Sequence, residues 1–157
     1  MDDGLSQNEI VSIIQDKRGL IWMATKGGGV TIFDGINYRY LKEENGLSNN
    51  IVYCLFEDLR GNIWIGTYDG LNLYDGVKIR TFNEKNGLNS TVIKTIAEDA
   101  TGKIWVGTEN GGISVLNPEN KKSIGLIKKI GMQFEEMIKL GDDDKELMLF
   151  GIKQKVD

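Results

Sequence analysis

The side chains of this sequence that could do chemistry are few, and their pattern limits what they can do. The 157 residues include no histidine and a single cysteine, Cys54. The usual general base, the usual base of a nucleophilic triad and the commonest zinc ligand are therefore missing together. Aspartates remain, in two arrangements. Asp16, Asp58 and Asp99 each stand three residues before a glycine (Gly19, Gly61, Gly102) and six before a tryptophan (Trp22, Trp64, Trp105). A lone carboxylate beside such a turn is suited to capping backbone N–H groups rather than to binding metal. Asp142, Asp143 and Asp144 are consecutive, without the regular ligand spacing of a calcium loop, and read as a solvated turn. No catalytic residue, no metal site and no cofactor is expected.

These aspartates and tryptophans belong to a cassette that recurs. GLSQNEIVSIIQDKRGLIWMAT (4–25), GLSNNIVYCLFEDLRGNIWIGT (46–67) and GLNSTVIKTIAEDATGKIWVGT (87–108) align without a gap, at spacings of 42 and then 41 residues. The residue dropped lies between Thr67 and Gly70. Self-similarity at about 40–45 residues, with strand-type patterning, indicates propeller blades. The expected fold is all-β, with β-propeller blades of four antiparallel strands and about three and a half blades in the chain. Blade one runs over about 4–42, blade two over 46–83, blade three over 87–130, and a degenerate partial blade over 132–157. In that last stretch a hairpin is preferred to a competing helix at 132–140, because it continues the series.

The second repeat shows the strands best. Residues 51–58 are rich in β-branched and aromatic types, as in a strand buried on both faces. The turn DLRG, the strand 62–67, the strand 71–75, the hairpin signal Asp75–Gly76 and the charged edge strand 77–82 follow. Burial is expected to decline from the first strand, near the axis, to the fourth at the rim. Ser12, Cys54 and Thr95 form a small column in the first strand, expected where radial strands crowd the axis. Cys54 then reads as a small buried hydrophobe. Each tryptophan sits mid-strand between apolar neighbours and is expected to pack blade against blade.

The string D-x-x-G-x-x-W-x-G-T, preceded by G-L-S-x-N, resembles the two-component regulator propeller repeat over residues 3–118. The first copy departs from it at Met23–Ala24–Thr25. EDATGKIWVG (98–107) is similar to the tryptophan-docking motif of quinoprotein dehydrogenases, but Ala-Thr-Gly occurs in the third repeat alone and reads as turn chemistry. The regulator resemblance implies sensor β-propellers from the extracytoplasmic regions of bacterial histidine kinases and hybrid regulators. It also implies signal sensing, often of oligosaccharides. No signal peptide is expected from the start MDDGLSQNE, and no stretch has the run of apolar residues a membrane span needs.

The strand order puts the G-L-S-x-N entry loops and the turns after Gly-Thr on one face of the blades. There the residue after Thr25, Thr67 and Thr108 varies, as Lys26, Tyr68 and Glu109. Varied side chains on a repeated frame are where a binding surface would be written. The candidate ligand-binding residues are Tyr68 first, then Lys26 and Glu109, with Asn8 and Asn50 from the entry loops. Local backbone capping is the competing role for the two asparagines, and Thr91 takes their place in the third copy. A net charge of −4 argues against nucleic acid. Since propellers close with about four to eight blades, a homodimer completing one ring, or neighbouring blades of a longer protein, is the expected partner. A sensor propeller is the first reading of function, an interaction scaffold the second, and a propeller lyase or lactonase the third.

Overall fold

The computed structural model describes residues 4–117 and the strand 126–130. Three four-stranded antiparallel sheets follow the chain in order, each a simple meander. Blade one is β1 (Ile10–Gln15), β2 (Ile21–Thr25), β3 (Val30–Phe33) and β4 (Tyr38–Leu41). Blade two is β5 (Val52–Glu57), β6 (Ile63–Thr67), β7 (Gly70–Tyr74) and β8 (Ile79–Phe82). Blade three is β9 (Ile93–Glu98), β10 (Ile104–Thr108), β11 (Gly112–Leu116) and β12 (Leu126–Ile130). The strands fall where the alternation and the Asp-Gly turns place them. The partial blade expected over 132–157, the competing helix at 132–140 and the Asp142–Asp144 turn lie outside the described residues.

Burial does not decline steadily from the first strand. It peaks in the middle of the blade, where every residue of β6 and all of β7 but Tyr74 are buried. The first strands are only half buried, with Val11, Ile13 and Gln15 of β1 and Lys94 and Thr95 of β9 exposed. Position in the sheet explains the correction. The middle strands are paired on both edges and covered by a neighbouring sheet. The first strands lie side by side, β1 next to β5 and β5 next to β9, and there one edge and some side chains stay open.

Two apolar clusters fill the two joints between blades. Trp22, Val30 and Ile32 of blade one meet Leu47, Val52, Leu55, Ile63 and Ile65 of blade two. Trp64, Leu71 and Leu73 of blade two meet Leu88, Ile93, Ile96, Ile104 and Val106 of blade three. Trp22 and Trp64 are fully buried, as packing residues should be. Trp105 is half-buried, since its blade lacks a covering neighbour on that side among the described residues.

The Asp turns and the tryptophans form one device. In each blade the indole Nε1 donates to the carboxylate six residues earlier, Trp22 to Asp16 at 3.0 Å, Trp64 to Asp58 at 2.9 Å and Trp105 to Asp99 at 2.8 Å. The other carboxylate oxygen accepts two backbone N–H groups of the turn, from Arg60 and Asn62 in blade two. The capping role of these aspartates is as expected; the bond to the indole is additional. Burial pushes the Asp16 and Asp99 carboxyls up, but the indole and turn hydrogen bonds outweigh it and hold both below the ordinary aspartate value.

A pKa lowered by folding stabilises the fold above the unfolded value, and that share is lost as pH falls through the native one. The melting temperature should therefore fall as the protein is acidified below about pH 4, the region of an unperturbed aspartate. Circular dichroism melts between pH 7 and pH 3 would check this. A melting temperature that rises on acidification would contradict it.

The small column is matched across the ladder by a second small column. Cys54 pairs with Gly66 and Thr95 with Gly107 across the first two strands, and Ser12 with Ala24. A side chain at Gly66 would strike Cys54 Sγ and Ile93. Each small residue on the first strand is thus matched to a glycine or alanine on the second. Burial also pushes the Cys54 thiol up to about 12, with the Gly66 backbone only partly opposing it, so the sulfur is protonated and inert at neutral pH.

Candidate functional site

The loops of the candidate face are pinned from below. Glu43–Asn45 and Glu84–Asn86 form single 3-10 turns, closed by Gly46 and Gly87 at φ 98° and 96°. This left-handed backbone suits glycine. Leu47 and Leu88 then drop into the two joints. Buried polar residues at one position of each third strand anchor the loop: Thr31 Oγ1 accepts from Ser6 N, Asn72 Oδ1 from Ser48 N and Ser114 Oγ from Asn89 N. Asn72 also reaches Ser48 Oγ at 2.8 Å.

This scaffold assigns Asn50 to structure. Its carbonyl accepts from Gly27 N and Gly29 N of the preceding blade at 3.1 and 2.8 Å. Its side chain accepts from Glu43 N at 2.9 Å, and Glu43 Oε1 accepts from Asn50 N at 2.9 Å. Thr91, the equivalent residue, accepts from Gly70 N at 2.7 Å through its carbonyl. Asn8, in the first blade, is exposed.

Lys26, Tyr68 and Glu109 occupy one equivalent position in each blade, just after the second strand. Their N–H groups continue the ladder between the first two strands, bonding to the carbonyls of Glu9, Ile51 and Val92 at 3.1, 2.9 and 2.9 Å. The threonine before each fixes the turn. Thr67 Oγ1, for example, donates to Gly70 O at 2.9 Å and accepts from Asp69 N at 3.1 Å. Lys26 pairs with Glu9 at 3.1 Å and Glu109 with Lys94 at 3.4 Å, both exposed, while Tyr68 is 51% exposed.

One further set of residues belongs to this lip. The ladder between the first two strands slips at one place in every blade, between Ile10 and Ser12, between Val52 and Cys54, and opposite Gly107/Thr108, where Ile93 and Thr95 are the partners. Each slip is a β-bulge, and the residues it leaves unpaired are Val11, Tyr53 and Lys94. Bulges re-aim a side chain and commonly border binding sites. Lys94 Nζ of blade three sits 3.9 Å from the ring centroid of Tyr53 in blade two, bridging two blades by a cation–π contact. Sequence reading missed Tyr53 and Lys94. The available signal was that 11, 53 and 94 share no chemistry, between one apolar column and one small column.

The lip carries side chains suited to noncovalent contact. It offers aromatic faces at Tyr53 and Tyr68 with ammonium and carboxylate groups beside them. Among the described residues no three His, Cys, Asp or Glu side chains converge to hold a metal, and no helix is long and apolar enough to cross a membrane.

Comparison with known proteins agrees with this architecture. The family model described as "two component regulator propeller" matches residues 4–27, 46–69 and 87–110, one stretch per blade. Among solved structures, the chain is 32% identical to the extracellular domain described as that of the hybrid two component system BT3049 from B. thetaiotaomicron, with a TM-score of 0.66. That match covers 71% of this chain and 16% of the other. The extracellular domain described for BT4673 of the same organism is 28% identical with a TM-score of 0.63, covering 73% of this chain and 18% of that one. The chain thus spans under a fifth of the length of these relatives. Virginiamycin B lyase from Staphylococcus aureus is 17% identical over 71% of this chain and 39% of its own, with a TM-score of 0.55, a likeness of fold alone. No curated protein matches by sequence. With its cassette, its blades and its structural relatives in agreement, the chain belongs to the two component regulator propeller repeat family.

Proposed function

We propose that this chain is a ligand-reading segment of an extracytoplasmic sensor propeller in a bacterial two-component signalling protein, and that it binds an oligosaccharide at the axial lip. The observation that carries this reading is the repeated bulge. An identical backbone device in three blades presents a different side chain each time, and two of these, Tyr53 and Lys94, touch across a blade boundary. The blade frame is uniform where it packs and varied at the lip. Sugar rings stack on exposed tyrosine faces, and the Lys94 and Lys26 ammonium groups suit hydroxyl or carboxylate substituents. The extracellular domains that resemble this chain support the compartment. Binding rather than catalysis is assigned because the sequence has no histidine, the side chain most often used as a general base.

The test is calorimetric titration of the protein with a panel of neutral and uronate-containing oligosaccharides. Tyr68→Ala and Tyr53→Ala should each weaken the best binder by about 1–3 kcal/mol, the usual effect of losing an aromatic anchor. Melting temperature should stay near the parent value for Tyr68→Ala. Binding by both variants as tight as that of the parent, or binding by no member of the panel, would remove the site from the lip.

A second reading, a protein-interaction scaffold, is favoured by one observation on the opposite face. Ile36 and Val77, at equivalent hairpin turns, are 84% and 90% exposed, and Leu59 on the same face is 74% exposed. A protein partner captured through these three residues, and lost on their replacement by serine, would favour it.

A further inference from the structure

The chain holds the pairs Asn45–Gly46, Asn86–Gly87 and Asn110–Gly111. An Asn-Gly pair can react with itself, with water as the only co-reactant. The backbone nitrogen of the glycine attacks the side-chain amide carbon of the asparagine, ammonia leaves, and a cyclic succinimide forms. Water then opens the ring at either of its carbonyls, giving aspartate or isoaspartate. Glycine favours the attack because it sets no side chain beside the nitrogen. A folded chain permits it where water reaches the pair, the carboxamide is free to turn and the glycine N–H is not held in a hydrogen bond.

The fold separates the pairs. Asn45, Asn86 and Asn110 are all exposed, so access of water does not distinguish them. Asn45 and Asn86 end the 3-10 turns of the entry loops. Asn45 Oδ1 accepts from Lys42 N and Asn86 Oδ1 from Asn83 N, both at 3.0 Å. Gly46 N donates to Glu43 O at 3.0 Å and Gly87 N to Glu84 O at 2.9 Å. Both reacting groups of these pairs are tied down. Asn110 lies in the turn between β10 and β11, next to Glu109. Among the described residues neither its carboxamide nor Gly111 N has a hydrogen-bond partner. Asn110 is also the one non-glycine among them with a left-handed backbone, at φ 62°, a conformation that asparagine adopts more readily than most residues.

The joint between blades one and two shows that a following blade does not take up this pair. The corresponding turn of blade one is Lys26–Gly29. There Asn50 O of blade two accepts from Gly27 N and Gly29 N, the counterparts of Asn110 and Gly112. The N–H of Gly28, the counterpart of Gly111, is left to Thr25 Oγ1 of its own blade. A Cβ on Gly27 would meet the side chain of Gln7, again of its own blade.

We propose that Asn110 is a site of spontaneous deamidation, and that the fold protects Asn45 and Asn86. The product carries a carboxylate where an amide stood and lowers the formal net charge by one from −4. It does so beside Glu109, which pairs with Lys94 at 3.4 Å, and Lys94 Nζ lies 3.9 Å from the centre of the Tyr53 ring. The modification therefore makes the lip more acidic next to the carboxylate that holds Lys94. The isoaspartate form also routes the main chain through the former side chain and lengthens the turn by one methylene. Deamidation is slow and not reversed by hydrolysis, so the lip of an old molecule differs in charge from that of a new one.

The full chain, incubated folded in mild alkali, should convert at Asn110 to a mixture of aspartate and isoaspartate. The rate should rise with hydroxide concentration, because the attacking nitrogen must lose its proton. Fragment mass spectrometry, with enzymatic methylation of isoaspartate, locates the products. Asn45 and Asn86 should stay intact over the time in which Asn110 is lost. In the chain unfolded by guanidinium, where only the shared Asn-Gly sequence remains, all three should convert at similar rates. Asn110→Gly should remove the fast conversion from the folded protein without lowering its melting temperature, since glycine takes the left-handed backbone freely. Conversion of Asn45 or Asn86 as fast as Asn110 in the folded chain would overturn the proposal. So would an Asn110 that survives in the folded chain while it converts in the unfolded one. None of these readouts uses a ligand, so the result holds whatever the lip binds.

Discussion

Replacing Trp64 by alanine should destabilise the protein by about 3–5 kcal/mol, the range for removing a large buried aromatic, and lower its melting temperature by roughly 10 °C for a chain of this size. Trp64 is fully buried in the joint between blades two and three. Its loss opens a cavity, exposes the joint and leaves Asp58, itself 1% exposed, without its indole donor. Asp58→Ala should cost nearly as much, because it orphans the Trp64 indole N–H together with the N–H groups of Arg60 and Asn62. Each such group buried without a partner costs about 1–3 kcal/mol. The two side chains act as one device, so the double variant should be well short of the sum. Trp105→Ala removes the same side chain from a half-buried position and should cost clearly less. Urea unfolding of the four variants decides it. Equal costs for Trp64 and Trp105 would show that the tryptophans are not joint residues.

The blades were legible in the sequence because each repeats one physical solution, and the parts that repeat are the parts that pack. Asp58, Gly61, Trp64 and Thr67 recur at fixed spacing since each is held by partners at fixed places in the blade and has no freedom to drift. Two things were hidden. The bulge at Val11, Tyr53 and Lys94 has no residue-type signature: it is a slip of hydrogen-bond register, and the side chain it releases differs from blade to blade. The burial of the first strand was overestimated, since β-branched and aromatic residues at 51–58 look the same whether a strand is covered on both sides or lines an axis. Position in the ring decides between those, and a local window contains no information about it. For the same reason Asn50 could be read as a binder or a cap until its carbonyl was found holding Gly27 and Gly29 of the preceding blade.

Gly66 should be the least replaceable glycine of the second strands. Its backbone is ordinary extended strand, so the requirement is one of space. A methyl group there would collide with Cys54 Sγ across the ladder and lie 2.7 Å from Ile93 Cγ2 in the next blade. Both neighbours are committed elsewhere, since Ile93 is fully buried and Cys54 packs against the same cluster. Gly66→Ala should therefore cost about 1–3 kcal/mol, the usual range for overpacking, and Gly66→Val more. Cys54→Ala in the same chain should recover part of the loss by removing one of the two collisions. Gly107 provides the control. An added methyl there meets Thr95, an exposed side chain on the outermost described blade that can turn away. Gly107→Ala should cost less than half as much, measured by the same urea unfolding. If Gly66→Ala is neutral or stabilising while Gly107→Ala is costly, the spacing of the blades is not set by this contact, and the small column on the first strands needs another cause.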